Sequence, residues 1–280
     1  MINRRAIELR YRLLPYLYTE FHETSRTGLP VLRPTLLDFP ADAEVHTRGH
    51  EFMFGRQLFV APVIYKGIKS CRVRLPAGRW YDFEDATPRS GGKEFDLPVS
   101  LSSIPIFARS GAIIPMRDVV QHVDQRPLET LILNVFPGSG RGWFYNDDGL
   151  SYDNQSGAFT LEEYKVTAGT ASGPVQFRLA HRRGTDAFAP ANYLLTFKGV
   201  RRSPRSVALL PSADDNGRSP TTIPQKKTKR AVATAAAGWC FDQKSRTVSV
   251  RLPRLAPGDT VVLSKTTAKR AAPPTNPRDH

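Results

Sequence analysis

Residues 129–149 read E-T-L-I-L-N-V-F-P-G-S-G-R-G-W-F-Y-N-D-D-G, and this stretch indicates the fold class of the chain. Two short runs of aliphatic and aromatic residues, 129–136 and 143–146, flank a cluster of Gly, Pro and Ser. The second run ends in Asn-Asp-Asp-Gly. Runs of this length bounded by such residues predict β-strands joined by turns.

Comparable short runs continue on both sides of this stretch, at a spacing that is typical of β-sandwiches. We predict a polar loop over 211–230 and a helical turn over 231–237. The other predicted strands are 71–75, 80–83, 95–101, 104–108, 158–166, 175–179, 193–199, 207–210, 239–242, 247–252 and 260–263.

The first 64 residues have a different texture, since helix and strand patterns alternate there as in an α/β unit. Residues 3–25 predict a helix that Pro15 kinks, because proline lacks an N–H and clashes with the preceding turn. Gly28 and Pro30 end it. A strand over 31–37, a helix over 43–54 and a buried strand over 57–64 follow. The helical apolar stripe consists of Ile7, Tyr11, Leu14, Tyr18 and Phe21.

Composition restricts the class of protein. The chain has 280 residues, is 40% hydrophobic, and lacks the run of about 18 apolar residues that a membrane span needs. Charges near Met1 occupy the place of a signal peptide's apolar run, which predicts no export signal and favours a cytoplasmic location. Cys71 and Cys240 are far apart in sequence, and we expect two reduced thiols with no metal site.

The net charge of +14 is concentrated in the last part of the chain. Residues 1–200 hold 24 Lys and Arg against 21 Asp and Glu, whereas residues 201–280 hold 16 against 5. We interpret this excess as a solvated loop and a disordered basic tail over 265–280. No aromatic residues interleave with these charges, so no specific nucleic-acid partner is predicted, while non-specific attraction to nucleic acid or an anionic surface stays open as an alternative. The lack of an apolar span predicts no membrane partner.

Asp147 and Asp148 are the first candidate catalytic pair, because two carboxylates cleave glycosidic bonds in most glycoside hydrolases. Retaining enzymes need carboxyl groups about 5–5.5 Å apart and inverting enzymes about 6.5–9.5 Å, on either side of the bond. Adjacent residues of one turn rarely meet this requirement, and Asx residues before Gly149 indicate a hairpin turn. We interpret the pair as a turn, with calcium binding by Asn146, Asp147, Asp148 and Asp153 as a minor alternative.

Two other motifs resemble ligand sites. The segment 138–142, G-S-G-R-G, is followed by a strand and not by the helix that a phosphate loop requires, so we predict a β-hairpin turn. His46 and His50 have the spacing of zinc ligands on a helix, yet Gly49 lies between them and no third ligand is evident. We expect a surface helix start there.

Several ordered motifs resemble glycoside hydrolase family 31, the α-glucosidase and α-xylosidase family. Glu51 stands where the family usually shows Gln. The motifs are L-R-Y-R-L-L-P-Y-L-Y at 9–18, G-L-P-V-L-R-P at 28–34, F-P at 39–40, F-M-F-G at 52–55, L-F-V-A-P-V at 58–63, L-P-A-G-R-W-Y-D-F at 75–83, I-P-I-F-A-R-S-G-A-I-I-P at 104–115 and F-Y-N-D-D-G at 144–149, with 193–200 and 239–252 resembling strands of the family's last domain.

The resemblance implies a mainly β chain that begins with the remnant of a (β/α)₈ barrel end. Residues 1–64 resemble the last barrel helices and the eighth strand, with 3–25 as the seventh helix, 31–37 as the strand and 43–54 as the last helix. Residues 65–119 resemble the family's proximal β-sandwich domain and 120–264 its distal one.

The family is retaining, and its nucleophile and acid/base lie on earlier barrel strands, so the resemblance implies no catalytic residue in this chain. Only 35–38, after the eighth strand, would border the pocket of a complete enzyme. We therefore name no catalytic, cofactor-binding or metal residues and no cofactor.

Three hypotheses stay open at this point. The first is the C-terminal part of an α-glycosidase that acts on α-glucosides and is inactive alone. The second is a subunit of a split glycosidase whose N-terminal helix docks on a barrel-bearing chain, because the apolar stripe needs a cover. The third is a non-catalytic carbohydrate-binding or scaffolding β-sandwich protein.

Overall fold

A computed structural model describes residues 2–168, 173–213, 215 and 217–264. None of the helices in this part of the chain combines the length and the apolar character that crossing a bilayer requires. The α-helices are α1 Ile2–Arg12, α2 Leu14–Thr27, α3 Thr35–Asp38 and α4 Lys229–Thr234, and short 3₁₀ turns cover Ala43–Thr47, Val123–Gln125, Asp153–Ser156 and Asp186–Phe188.

Strands dominate the described residues, as the sequence predicts. They are β1 Leu32–Pro34, β2 Phe52–Phe54, β3 Leu58–Val60, β4 Ser70–Leu75, β5 Arg79–Asp82, β6 Pro88–Ser90, β7 Lys93–Pro98, β8 Ile106–Arg109, β9 Ile113–Met116, β10 Thr130–Val135, β11 Gly140–Asn146, β12 Thr160–Thr167, β13 Val175–Gly184, β14 Asn192–Phe197, β15 Ser206–Leu210, β16 Thr221–Thr222, β17 Gly238–Asp242, β18 Thr247–Pro253 and β19 Thr260–Ser264.

The C-terminal half forms a sandwich of two sheets. A five-stranded sheet has the order β17-β18-β14-β10-β9, and a six-stranded sheet has the order β11-β12-β13-β19-β15-β16. Every second residue of a strand points to the same face, so alternate apolar positions from both sheets meet in one core. Leu133 and Tyr193 of the first sheet and Phe177 and Val261 of the second are fully buried there.

Strand β9 joins this sandwich to the layers that precede it. It pairs with β10 in the five-stranded sheet, and its Ile113 faces the sandwich core. Ile114 and Met116, on the other face, pack with Leu58 and Phe136 in a second core beneath the sheet β1-β2-β3-β8-β5-β6. The opposite face of that sheet packs on the β4-β7 pair in a third core.

The N-terminal helix is divided at Leu13, two residues before Pro15, which occupies the first turn of α2. This confirms the effect of proline, since position 15 has no N–H to donate into α1. Gly28 ends α2 in the left-handed conformation at φ 75°, and its N–H donates to the Thr24 carbonyl.

The predicted α/β alternation of residues 31–64 is wrong in its details, and the barrel end is not confirmed. Only 32–34 are a strand, and they pair antiparallel with β2, whereas strands of a (β/α)₈ barrel are parallel. The helix predicted over 43–54 is one 3₁₀ turn followed by strand β2. Gly49 interrupts the helical pattern, and the aromatic run 52–54 pairs on both sides with neighbouring strands.

The hairpin turn predicted over 138–142 is wrong, because only 138–139 lie outside a strand and 140–142 begin β11. The loop connects β10 of one sheet to β11 of the other, and these two strands do not pair. Glycine is needed because a Cβ on Gly140 would lie 2.4 Å from the Gly111 carbonyl oxygen. The loop therefore lets two backbones cross closely at the edge of the sandwich.

The C-terminal predictions have mixed outcomes. The helical turn predicted over 231–237 is α4, shifted by two to three residues, and β16 lies inside the predicted polar loop 211–230. Lys229 pairs with Asp242 at 2.8 Å, so this lysine of the basic segment has a counter-ion within the sandwich. The predicted disordered tail, 265–280, lies outside the described residues.

One buried ionic network crosses the sandwich core. The Glu162 carboxylate is fully buried and accepts from Tyr193 Oη at 2.7 Å, Arg182 Nε at 2.8 Å and Tyr164 Oη. Arg182 also donates to the Leu255 carbonyl at 2.8 Å. Because every partner is hydrogen-bonded, the network tolerates burial; an unpaired member would be costly.

We expect Glu162→Ala to lower the free energy of unfolding by about 3–5 kcal/mol, since it leaves a buried guanidinium without its counter-ion. Urea denaturation measures this effect. Glu163→Gln is the matched control one residue further along β12, where an exposed ion pair is worth about 1 kcal/mol or less. Equal losses for the two variants would contradict the assignment of the network as a core element.

Candidate functional site

The polar side of helix α2 is buried against the sheet β1-β2-β3-β8-β5-β6. The side chains of Glu20 and Arg33 are both 4% exposed, and Glu20 Oε2 lies 3.3 Å from Arg33 Nη2. Arg56 reaches the other carboxylate oxygen at 3.6 Å and also approaches Glu23 at 3.5 Å. Burial raises the pKa of Glu20, and the two neighbouring guanidinium groups oppose that shift.

Two polar side chains hold α2 and the sheets in register. Tyr16 donates its hydroxyl to the Phe54 carbonyl at 2.8 Å and accepts from the Gln57 N–H at 3.2 Å. The Gln57 amide donates to the Arg141 carbonyl at 2.7 Å and accepts from the Ile113 N–H at 2.8 Å. The amide of Gln57 thus joins β9 to β11, which belong to different sheets.

The aromatic residues of 143–159 dock on the same helix. His22 stacks on Tyr145 with 3.8 Å between ring centroids, and Phe159 lies on Tyr145 at 5.7 Å. Burial is the main cause of a lowered pKa at His22, and the positive charge of Arg26 adds to it. The aromatic run therefore attaches the sandwich to α2.

Asp147 and Asp148 form a turn, as the sequence predicts, within the connection between β11 and β12. Asp147 accepts from Tyr145 Oη at 2.7 Å, from the Gly149 N–H and from Tyr18 Oη. Asp148 is exposed and accepts from the N–H groups of Leu150 and Ser151. These N–H groups lower the pKa of Asp148, whereas a general acid needs a raised one.

Residues 35–38, predicted to border a pocket, form helix α3 beside the half-buried side chain of Arg109. Asp38 Oδ1 lies 3.7 Å from Arg109 Nη2, and the Arg109 guanidinium lies 4.7 Å from the Phe39 ring centroid and 5.6 Å from that of Trp80. Thr35 Oγ1, Asp38 Oδ2 and Arg109 Nε are buried without a hydrogen-bond partner. Burial lowers the pKa of Arg109.

The two histidines with zinc-like spacing do not share a helix face. His46 lies in a 3₁₀ turn and contacts the Pro40 carbonyl at 3.1 Å, while His50 lies beyond that turn with its ring edge-on to Tyr65. Across the described ranges, no three His, Cys, Asp or Glu side chains come together in a group suited to a metal ion. The calcium alternative at 146–153 therefore finds no support there.

Glu51, which stands where the family usually shows Gln, borders the third core and is 7% exposed. Its Oε1 accepts from the Arg74 N–H at 3.1 Å and lies 3.4 Å from Arg48, while Oε2 has no partner. Burial raises the pKa of this carboxyl group. An amide would keep the accepted hydrogen bond without the buried charge, which is consistent with Gln as the usual residue.

A cavity of about 320 Å³ lies on the outer face of the sandwich and was not predicted. The sequence signal was the alternation along β11, β12 and β13, which places every second side chain on this face. The register of the strands brings these residues together, and register cannot be determined from the sequence alone. The cavity is lined by Trp143, Leu161, Glu163, His181, Arg182 and Arg183.

Comparisons with known proteins agree with the motifs. Residues 28–114 match the model of the glycosyl hydrolase family 31 C-terminal domain. A probable glucan 1,3-alpha-glucosidase of Oryza sativa subsp. japonica is 44% identical over 163 residues, which are 56% of this chain and 18% of that protein. An alpha-xylosidase of Saccharolobus solfataricus is 32% identical over 182 residues, 61% of this chain and 25% of that protein.

The fold is also similar to a solved enzyme. A Flavobacterium johnsoniae GH31 dextranase, complexed with glucose, superposes with a TM-score of 0.82 at 28% identity, covering 93% of this chain and 32% of the dextranase. The chain spans less than a third of the length of each of these relatives.

His22 predicts a pH dependence of stability. Its pKa is lowered in the folded chain, so below the ordinary pKa of about 6.5 the unfolded chain binds more protons. The stabilising effect of neutral His22 is therefore complete above that pH and is lost as the pH falls. We expect His22→Phe, which keeps the stacking on Tyr145, to reduce the loss of stability between pH 7 and pH 5.

Thermal unfolding at several pH values measures this effect. His122→Gln, at an exposed position, is the control and should retain the pH dependence of the unaltered chain. An identical pH profile for His22→Phe and the unaltered chain would show that His22 does not titrate as proposed.

Proposed function

Since this chain corresponds to the C-terminal portion of glycoside hydrolase family 31, we propose that it serves an α-glycosidase that acts on α-linked glucosides. The observation that carries this proposal is the superposition of 93% of the chain on a GH31 dextranase. The ordered motifs between residues 9 and 149 support it independently, because several motifs in unbroken order are more specific than one.

We propose the same domain arrangement that the resemblance implies. Residues 1–64 would contribute to the end of a (β/α)₈ barrel, residues 65–119 would form a proximal domain, and residues 120–264 a distal one. Strands β1, β2 and β3 of the first range share one antiparallel sheet with β5, β6 and β8 of the second, so these two units would be joined through that sheet. Strand β9 lies in the proposed proximal domain but pairs with β10 in the five-stranded sheet of the distal one. This pairing supports a tight association of these two domains.

The outward side of the N-terminal region is the proposed docking face for barrel elements. Ile7 is 56% exposed and Phe21 54% exposed, whereas Tyr18 of the same stripe donates to Asp147, so the stripe is exposed at its two ends. Leu32 and Leu37, on the following elements, are 60% and 52% exposed. A series of apolar side chains of this kind is typical of a surface that another protein segment covers.

Hydrolysis is proposed to reside outside this chain. The only paired carboxylates that the sequence suggested, Asp147 and Asp148, each accept hydrogen bonds from their own turn, and Asp147 also binds two tyrosine hydroxyls. Neither arrangement offers two carboxylates facing one bond. A barrel-bearing polypeptide, in the same or another chain, would supply the acid and the nucleophile.

We expect the purified chain to show no hydrolysis of an aryl α-glucoside above the uncatalysed rate, with no change on Asp147→Asn. Co-expression with the polypeptide encoded immediately upstream should give a co-purifying complex that hydrolyses the substrate. A colorimetric release assay measures both preparations.

Two results would contradict this proposal. Hydrolysis by the chain alone that Asp147→Asn abolishes would make the turn a catalytic centre. A complex that forms but cleaves no α-glucoside would separate the docking of the helix from the proposed substrate class.

A further inference from the structure

The cavity on the sandwich is built from side chains that strand pairing brings into a row. Trp143 of β11 lies opposite Glu163 of β12, and Glu163 lies opposite His181 of β13. Arg183, two residues further along β13, lies on the same face. An aromatic ring, a carboxylate and two basic side chains therefore line one concave surface.

A β-bulge shapes this surface. The pairing of β12 with β13 shifts between Glu163 and Tyr164, whose partners are His181 and Leu179, so Ala180 is left without a partner. Such a bulge bends a strand and changes the direction of the side chains beside it, and bulges are frequent next to binding sites. Here the bend places His181 and Arg183 at the cavity.

The indole of Trp143 is held in place by the helix junction. The Arg56 guanidinium lies 4.3 Å from the centroid of the indole, and Arg56 is itself fixed by Glu20 and Glu23. An indole has two faces, and Arg56 occupies one of them. A fixed aromatic ring binds a ligand with little loss of side-chain entropy.

Most charges that line the cavity are paired within the chain, so they are suited to hydrogen bonds with a polar ligand. Arg182 is committed to Glu162, and Glu163 pairs with Arg141 at 2.8 Å. Arg183 forms no ion pair within the described ranges of the chain. Glu163, at the centre of the row, can still accept hydrogen bonds from hydroxyl groups, because a carboxylate has several acceptor sites.

We propose that this cavity binds one or two residues of an α-linked gluco-oligosaccharide. The apolar C–H face of the sugar would lie on the face of Trp143 opposite Arg56, since the centre of an aromatic face is electron-rich. Its hydroxyls would donate to Glu163 and accept from Arg183 and His181. A volume of about 320 Å³ is at the lower end of small-molecule sites. The choice of an α-linked sugar rests on the proposed function.

The three tryptophans make a direct test possible. Trp80 and Trp239 are 1% and 2% exposed, so a ligand in the cavity would change the emission of Trp143. We expect a saturable change when the full chain is titrated with maltotriose or isomaltotriose. Cellotriose, with β-linkages, and inorganic phosphate should give no saturable change.

Calorimetric titration of variants identifies the cavity. Trp143→Ala and Arg183→Gln should each weaken binding about tenfold or more, as the loss of an anchor or of a hydrogen-bonded charge does. Arg178→Gln removes the same charge from the same strand outside the cavity and should bind as the unaltered chain does. The melting temperature of each variant verifies that it folds.

Three outcomes overturn the proposal: no saturable binding of either α-linked trisaccharide, unchanged binding by both cavity variants, or tighter binding of phosphate than of sugar. A titration without binding would contradict the proposed sugar site but not the proposed function, which the activity of the co-expressed complex tests. An inactive complex would contradict the proposed function, whereas sugar binding to the cavity would still be tested by the titration.

Discussion

The buried ion pair between Glu20 and Arg33 is the interaction on which the N-terminal half of the structure depends. A carboxylate and a guanidinium that are each removed from water must face each other, because either one left alone would cost several kcal/mol. This requirement turns the polar side of α2 towards the sheet. Tyr16 and Gln57 then extend the junction to β9 and β11, so the orientation of one helix fixes three sheets.

The burial of Glu20 also explains why the helical periodicity alone did not predict which side of α2 is buried. Helical periodicity correctly identifies the apolar stripe of residues 7–21, and the usual expectation is that such a stripe faces the chain's own core. In the structure Ile7 and Phe21 are exposed, while Thr19 and Glu20 are buried. Periodicity detects a face but not the partner that the face packs against.

Other elements show where local patterns suffice and where they do not. The run at 71–75 was correctly predicted as a strand, because the alternation of its apolar and polar residues is visible in the local sequence. Residues 52–54 were predicted as helix, but they form a local hairpin with β3 and also pair with β1, which lies earlier in the chain and is not part of the local pattern. The cavity was missed for the same reason, since Trp143, Glu163 and His181 come from strands whose register is a tertiary property. The turn at Asp147 and Asp148 was predicted correctly, because Asx turns are local.

Helix α2 is held by the side that carries Tyr16, Thr19 and Glu20, and it leaves Phe21 exposed, where we propose that another segment docks. Urea denaturation of two adjacent variants, Glu20→Ala and Phe21→Ala, tests this claim most directly. The account predicts that Glu20→Ala costs about 3–5 kcal/mol, because Arg33 loses its buried partner, and that Phe21→Ala costs less than about 1 kcal/mol. A larger loss for Phe21→Ala than for Glu20→Ala would contradict it.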